Sequence, residues 1–128
     1  TPANRAPARA WPRFGAPDDP AFVETLLKGK RPDAIVCSND RTAALLLQSL
    51  TSRGLKIPED IAVAGFDDVR YASLLSTPLT TLHQPCRDLG RLAVDLMVSR
   101  LADPHIPARS VQLPVKLIVR ASTAPDGR

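Results

Sequence analysis

The 128-residue sequence predicts an α/β fold built on a doubly wound parallel sheet, and three observations predict it. Helical and strand patterns alternate at short intervals over residues 18–66, the order in which each parallel strand is reached by a crossover. The strand segments "AIVC" and "IAVAGF" are continuous apolar runs, as expected of strands covered on both faces. Each run stops at polar side chains. Ser38, Asn39 and Asp40 follow the first, and Asp67 and Asp68 follow the second.

The elements follow in order. Residues 1–17 are rich in Pro, Ala and Arg and read as irregular, with a short strand near residues 10–14. Asp18 or Asp19 can cap a helix that has Pro20 in its first turn. Phe22, Val23, Leu26 and Leu27 then repeat at helical spacing up to Gly29. After the strand at 34–37, Asn39 or Asp40 can cap a second helix, and Gly54 is placed to end it in the left-handed conformation. Ala43, Leu46, Leu47 and Leu50 form one stripe of this helix, while Ala44, Leu45 and Gln48 form a second flank. A helix apolar over so much of its circumference is buried on two sides. One side fits the sheet, and the other asks for a partner such as a second subunit. "GLKIPED" is a loop, 61–66 a strand, and "VRYASLLSTP" a helical turn or loop closed by Pro78. "LTTLHQ" reads as continuous strand. Residues 88–100 read as a helix with Leu89, Leu92, Ala93, Leu96, Met97 and Leu101 on one side. "VQLPVKLIVRAST" supplies a last strand that Pro114 confines to an edge or a crossing, and the tail from Ala124 reads as frayed.

Composition narrows the function. Hydrophobic residues make up 44% of the chain, as in globular proteins. The net charge of +4 is scattered, and aromatics are 4%, so nothing points to nucleic-acid binding by these residues themselves. No apolar run reaches the length of a membrane span, and no basic-then-apolar leader is seen. The chain starts at Thr1 rather than Met, which reads as a piece of a longer protein. Cys37 and Cys86 are far apart and read as reduced thiols of a cytoplasmic protein. His83 and His105 have no partners at metal-ligand spacing, so neither a metal nor another cofactor is expected. Nucleotide-cradling glycine motifs and the nucleophile elbow are missing from the sequence.

The carboxylates at strand ends carry the functional reading. In a doubly wound sheet, ligands bind outside the carboxyl ends of the strands. Asn39 and Asp67 would meet a polar ligand there, and one carboxylate can accept from two hydroxyls. For Asp40 and Asp68 a structural role is favoured, a helix cap and a turn start respectively. Gly65 either relieves packing or lets a ligand approach the backbone.

Four segments together resemble a known family: "PDAIVCSNDRTAALLLQSL", "GLKIPEDIAVAGFDD", "LTTLHQPCRDLGRLAVDLM" and "LPVKLIVRAST". In order and spacing they are similar to the effector-binding domain of LacI/GalR-family transcription regulators. They also resemble regulators that join this sensor to a GntR-type DNA-binding domain. The resemblance covers residues 18–123 and implies part of a type I periplasmic-binding-protein-like domain, mostly its C-terminal lobe. It implies that Asn39, Asp67, Gln84, Cys86 and Leu89 contact the ligand, although the family often carries a larger apolar residue where Cys86 stands. Trp11 or Phe14 would supply a stacking aromatic. Ala44, Leu45, Gln48, Tyr71, Leu74 and Leu75 would form a dimer interface.

The resemblance implies that residues 18–83 are the C-terminal lobe. Residues 84–113 are a crossover and a helix of the N-terminal lobe, residues 114–123 the strand that returns, and residues 124–128 a tail. The DNA-binding domain and most of the N-terminal lobe lie outside the 128 residues. The expected partners are therefore a small-molecule effector (a sugar or related polar metabolite), a second copy of the chain, and DNA through that other domain, with no membrane. The alternative is a periplasmic solute-binding protein of a sugar transporter, against which the second apolar flank at 44–48 argues. An enzyme is not expected, because adjacent residues on a strand point to opposite faces, so Asp67 and Asp68 cannot readily flank one bond.

Overall fold

A computed structural model of the chain describes residues 15–124. The stacking aromatics proposed at Trp11 and Phe14, and the strand near them, lie outside that range. The first described element is helix α1, Pro20–Leu27. Asp19 rather than Asp18 caps it, accepting from the Ala21 amide at 3.0 Å, and Pro20 occupies the first turn where its missing N–H costs nothing. Strand β1, Ala34–Val36, leads into helix α2, Asp40–Thr51. Gly54, at φ +80°, turns the chain out of α2 so that the Leu55 amide reaches back to the Leu50 carbonyl. Strand β2, Ala62–Asp67, follows, then one 3-10 turn at Arg70–Ser73 and strand β3, Thr80–His83. Helix α3 runs Cys86–Ala102, longer at both ends than the sequence suggests, and strand β4 is Lys116–Ile118.

The sheet order is β1-β2-β3-β4. β1, β2 and β3 are parallel neighbours, and β4 joins β3 antiparallel at the edge. Helix α2 is the crossover between β1 and β2, and it packs on β2. Val23 of α1, Ala43, Leu46, Leu47 and Leu50 of α2, Val63 of β2, and Ile61 and Leu79, the residues just before β2 and β3, belong to one core. Cys37 belongs to it, and burial pushes its thiol up to about 11.

The expectation that β1 is covered on both faces is corrected. Ile35 and Cys37 turn toward α2, whereas Val36 is 75% exposed. Successive side chains alternate across a strand, and among the described residues only the α2 face carries a packed layer.

Helix α3 has no buried residue and, among the described residues, is not closely packed against another strand or helix. Met97, Val98 and Leu101 are all more than half exposed. Leu92 and Leu96 are half-buried, so this 17-residue helix has an apolar side that is only partly covered. No helix among the described residues is long and apolar enough to cross a membrane.

Candidate functional site

The carboxyl ends of β1, β2 and β3 lie side by side, because the three strands are parallel and adjacent. The register pairs Val36 with Ala64, so Asn39 and Asp67 each stand three residues beyond that pair. Asp67 in turn pairs with His83, the residue before Gln84. Asn39, Asp67 and Gln84 are thus brought to one end of the sheet.

Asn39 is the cap of α2, its Oδ1 accepting from the Thr42 amide at 2.8 Å. That oxygen is committed to the helix, which leaves the Nδ2 amide to donate to a ligand. Asp67 is half-buried and accepts from Gln84 Nε2 through Oδ1 at 2.6 Å. Its second oxygen keeps its accepting capacity. Both Asp67 and Asp68 have positive φ, +115° and +55°, conformations that side chains other than glycine rarely adopt. The turn is therefore held by its surroundings, and such strain gathers at functional sites.

Cys86 and Leu89 lie in the first turn of α3 and are exposed. The Cys86 amide donates to the Gln84 carbonyl at 2.8 Å, so this turn begins directly at the polar cluster. Among the described residues, no group of three or more His, Cys, Asp and Glu side chains is arranged to hold a metal.

Asp68 takes a structural part. Its carboxylate accepts from Arg120 Nη2 at 2.7 Å and contacts His83 Nδ1 at 3.0 Å. The Arg120 hydrogen bond, with His83 behind it, holds the Asp68 carboxyl below its ordinary value of 3.8 against the opposing effect of burial. Arg120 also donates to the Leu79 carbonyl, which ties the chain's last segment to β3.

The expected cap role of Asp40 is corrected. Asn39 caps the helix, and Asp40 is fully buried. Asp40 Oδ1 accepts from Thr81 Oγ1 at 2.6 Å, and Oδ2 accepts from the Val69 amide at 2.9 Å. Gly65 serves packing: a Cβ there would overlap Asp40 Oδ1.

Sequence reasoning missed Thr81, Arg120 and Ser122. Ser122 is fully buried, donates to the Val63 carbonyl at 2.6 Å and accepts from the Thr80 amide at 2.8 Å. The signal was present in "LTTLH" and "VRAST", where short hydroxyl side chains interrupt apolar strand material.

The proposed interface residues lie on α2 and in and just after the 3-10 turn, and one of them, Leu75, packs against the core. Gln48 is exposed, Ala44, Leu45 and Leu75 are half-buried, Tyr71 is 41% exposed and Leu74 81%. None of the six belongs to the buried core.

Comparison with known proteins shows the family and the fold. The model of the periplasmic binding protein-like domain family matches residues 2–123. The ribose operon repressor of Escherichia coli (strain K12) is 41% identical over 102 residues, 80% of this chain and 31% of that protein. The transcriptional regulator CelR in complex with cellobiose superposes with a TM-score of 0.72 at 30% identity, over 80% of this chain and 32% of that one. The lac repressor dimer bound to operator and the anti-inducer ONPF gives a TM-score of 0.70 at 34% identity, over 79% of this chain and 30% of that one. The chain spans about a third of the length of these relatives. It belongs to the periplasmic binding protein-like domain family, and its relatives there are LacI-family transcription regulators.

Proposed function

We propose that this chain is the small-molecule-sensing part of a DNA-binding transcription regulator that works in the cytoplasm as a homodimer. The effector is a sugar or related polar metabolite, and it binds in a cleft between two lobes. The observation that carries this reading is the hydrogen-bonded pair Asp67 and Gln84 at the carboxyl ends of adjacent parallel strands, level with Asn39. A carboxylate with a free oxygen, flanked by two side-chain amides, suits a ligand that presents several hydroxyls. Cys86 and Leu89 would line the opposite wall from the first turn of α3. CelR was solved with cellobiose, which fits that chemistry.

Residues 18–83 and 114–123 are then one lobe, and residues 84–113 belong to the other. The partly exposed apolar side of α3 supports that division. The flank of half-buried Leu45 and exposed Gln48 and Leu74 supports a dimer, as does the likeness to the lac repressor dimer. Binding would change the angle between lobes, and the dimer would pass that change to DNA-binding domains.

A thermal-shift panel of sugars on the full-length protein tests the reading, since a ligand of the folded state raises Tm. A response to at least one sugar that disappears in Asp67→Ala is expected. A sugar that raises Tm equally in parent and Asp67→Ala would remove Asp67 from the site.

A further inference from the structure

The turn that carries Asp67 is anchored from beneath by a carboxylate that the effector reading leaves unused. Asp40 is fully buried, yet no cation pairs with it among the described residues. A buried carboxylate is expensive unless its oxygens are satisfied. Both are. Oδ2 accepts from the Val69 amide at 2.9 Å, and Oδ1 accepts from Thr81 Oγ1 at 2.6 Å. Thr81 Oγ1 then accepts from the Asp68 amide at 3.3 Å. The carboxylate therefore holds two consecutive amides of the turn, one directly and one through a hydroxyl. Its position in the first turn of α2 further favours a negative group. The absence of a side chain at Gly65 gives Asp40 the room to lie across β2.

These bonds converge on the strained segment. Asp67 and Asp68 both have positive φ, a backbone that springs back to ordinary values unless its amides are held. We propose that Asp40 is a positioning residue for effector binding: with Thr81 as its bridge, it fixes the turn at 67–69 so that the Asp67 carboxylate meets Gln84 and the ligand. Asp40 is also the first residue of α2, whose outer flank carries Leu45 and Gln48. The same bonds thus tie the ligand end of the sheet to the helix proposed to meet the second subunit. The proposal rests on the reading of Asp67 as an effector contact.

Amide hydrogen exchange of the full-length protein, without ligand, tests the anchor. Asp40→Asn keeps the size but presents an NH2 where one acceptor stood, so one of its two bonds is lost. Thr81→Val removes the bridge and Thr81→Ser restores it. The Asp68 amide should exchange about tenfold faster or more in Thr81→Val, at least one of the Asp68 and Val69 amides should do so in Asp40→Asn, and both should keep the parent rate in Thr81→Ser. Core amides of α2 and β2 should be unchanged. Parent-like exchange at Asp68 and Val69, or acceleration spread evenly over the domain, overturns the positioning role. Asp67→Ala should leave this exchange slow, because it removes no anchor. Cellobiose calorimetry on the same proteins separates the two proposals. Parent cellobiose affinity in Asp67→Ala sinks the effector reading, whereas parent-like exchange in both anchor variants sinks the anchor whatever cellobiose does.

Discussion

The Asp67 carboxylate and the Gln84 side-chain amide are joined at 2.6 Å across the ends of β2 and β3. Gln84 is the first residue after β3 and is separated from α3 by Pro85 alone, so this bond also fixes where the chain leaves the sheet. A ligand hydroxyl that donates to Asp67 shares the carboxylate with the exit point. Asp67→Ala should weaken effector binding by about 1.5–3 kcal/mol, tenfold or more in Kd. Gln84→Ala should weaken it less, because the charged acceptor survives. Calorimetry with the sugar that responds in the thermal-shift panel checks the order, and equal losses would make the amide as important as the carboxylate.

Asp68 and Arg120 bear on stability rather than on ligand. The Asp68 carboxyl titrates below 3.8 in the folded chain, mainly because of the Arg120 hydrogen bond. Its unfolded counterpart takes up a proton first as pH falls, so the unfolded state binds more protons in that window. The stabilisation is complete above the ordinary value of 3.8 and is lost as pH falls through the depressed folded value. Asp68→Asn should therefore lower stability at neutral pH and flatten its acid dependence below 3.8. Urea melts at descending pH measure both, and identical slopes in parent and variant would show that the pair contributes nothing.

The outer flank of α2 yields a prediction about assembly. Leu45 is half-buried within one chain, and Leu74 beside the 3-10 turn is almost bare. Leu45→Asp would bury a charge without a partner in the proposed dimer. The full-length variant should sediment as a folded monomer at concentrations where the parent is a dimer. A variant that stays dimeric would place the interface elsewhere.

The 128 residues expressed alone should self-associate. Met97, Val98 and Leu101 on α3 and Val36 on β1 are large apolar side chains that are more than half exposed. Burying each fully is worth about 1.5–3 kcal/mol, so association has a ready driving force. Light scattering over a concentration series should show growing mass. A monodisperse monomer with a cooperative melt would contradict the assignment of α3 to another lobe.

Several features of this protein were determined by sequence pattern alone. Helical spacing in α1 and α2, a cap at Asp18 or Asp19 and another at Asn39 or Asp40, the left-handed Gly54 and the apolar strands are all set by neighbours within a few residues, so local chemistry is enough to read them. The polar ends of β1 and β2 were legible for the same reason, since each follows directly on an apolar run.

Tertiary structure decided what local patterns do not encode. Asp40 reads as a cap until β3 brings Thr81, 41 residues away, onto its carboxylate. Arg120 looks like an ordinary surface charge until the segment after β4 returns it, across 52 residues, to Asp68. Gly65 has a purpose only because Asp40 lies over it. Each depends on contacts between distant segments, and the free energy of a buried polar group is set by the partner that reaches it rather than by its neighbours in sequence.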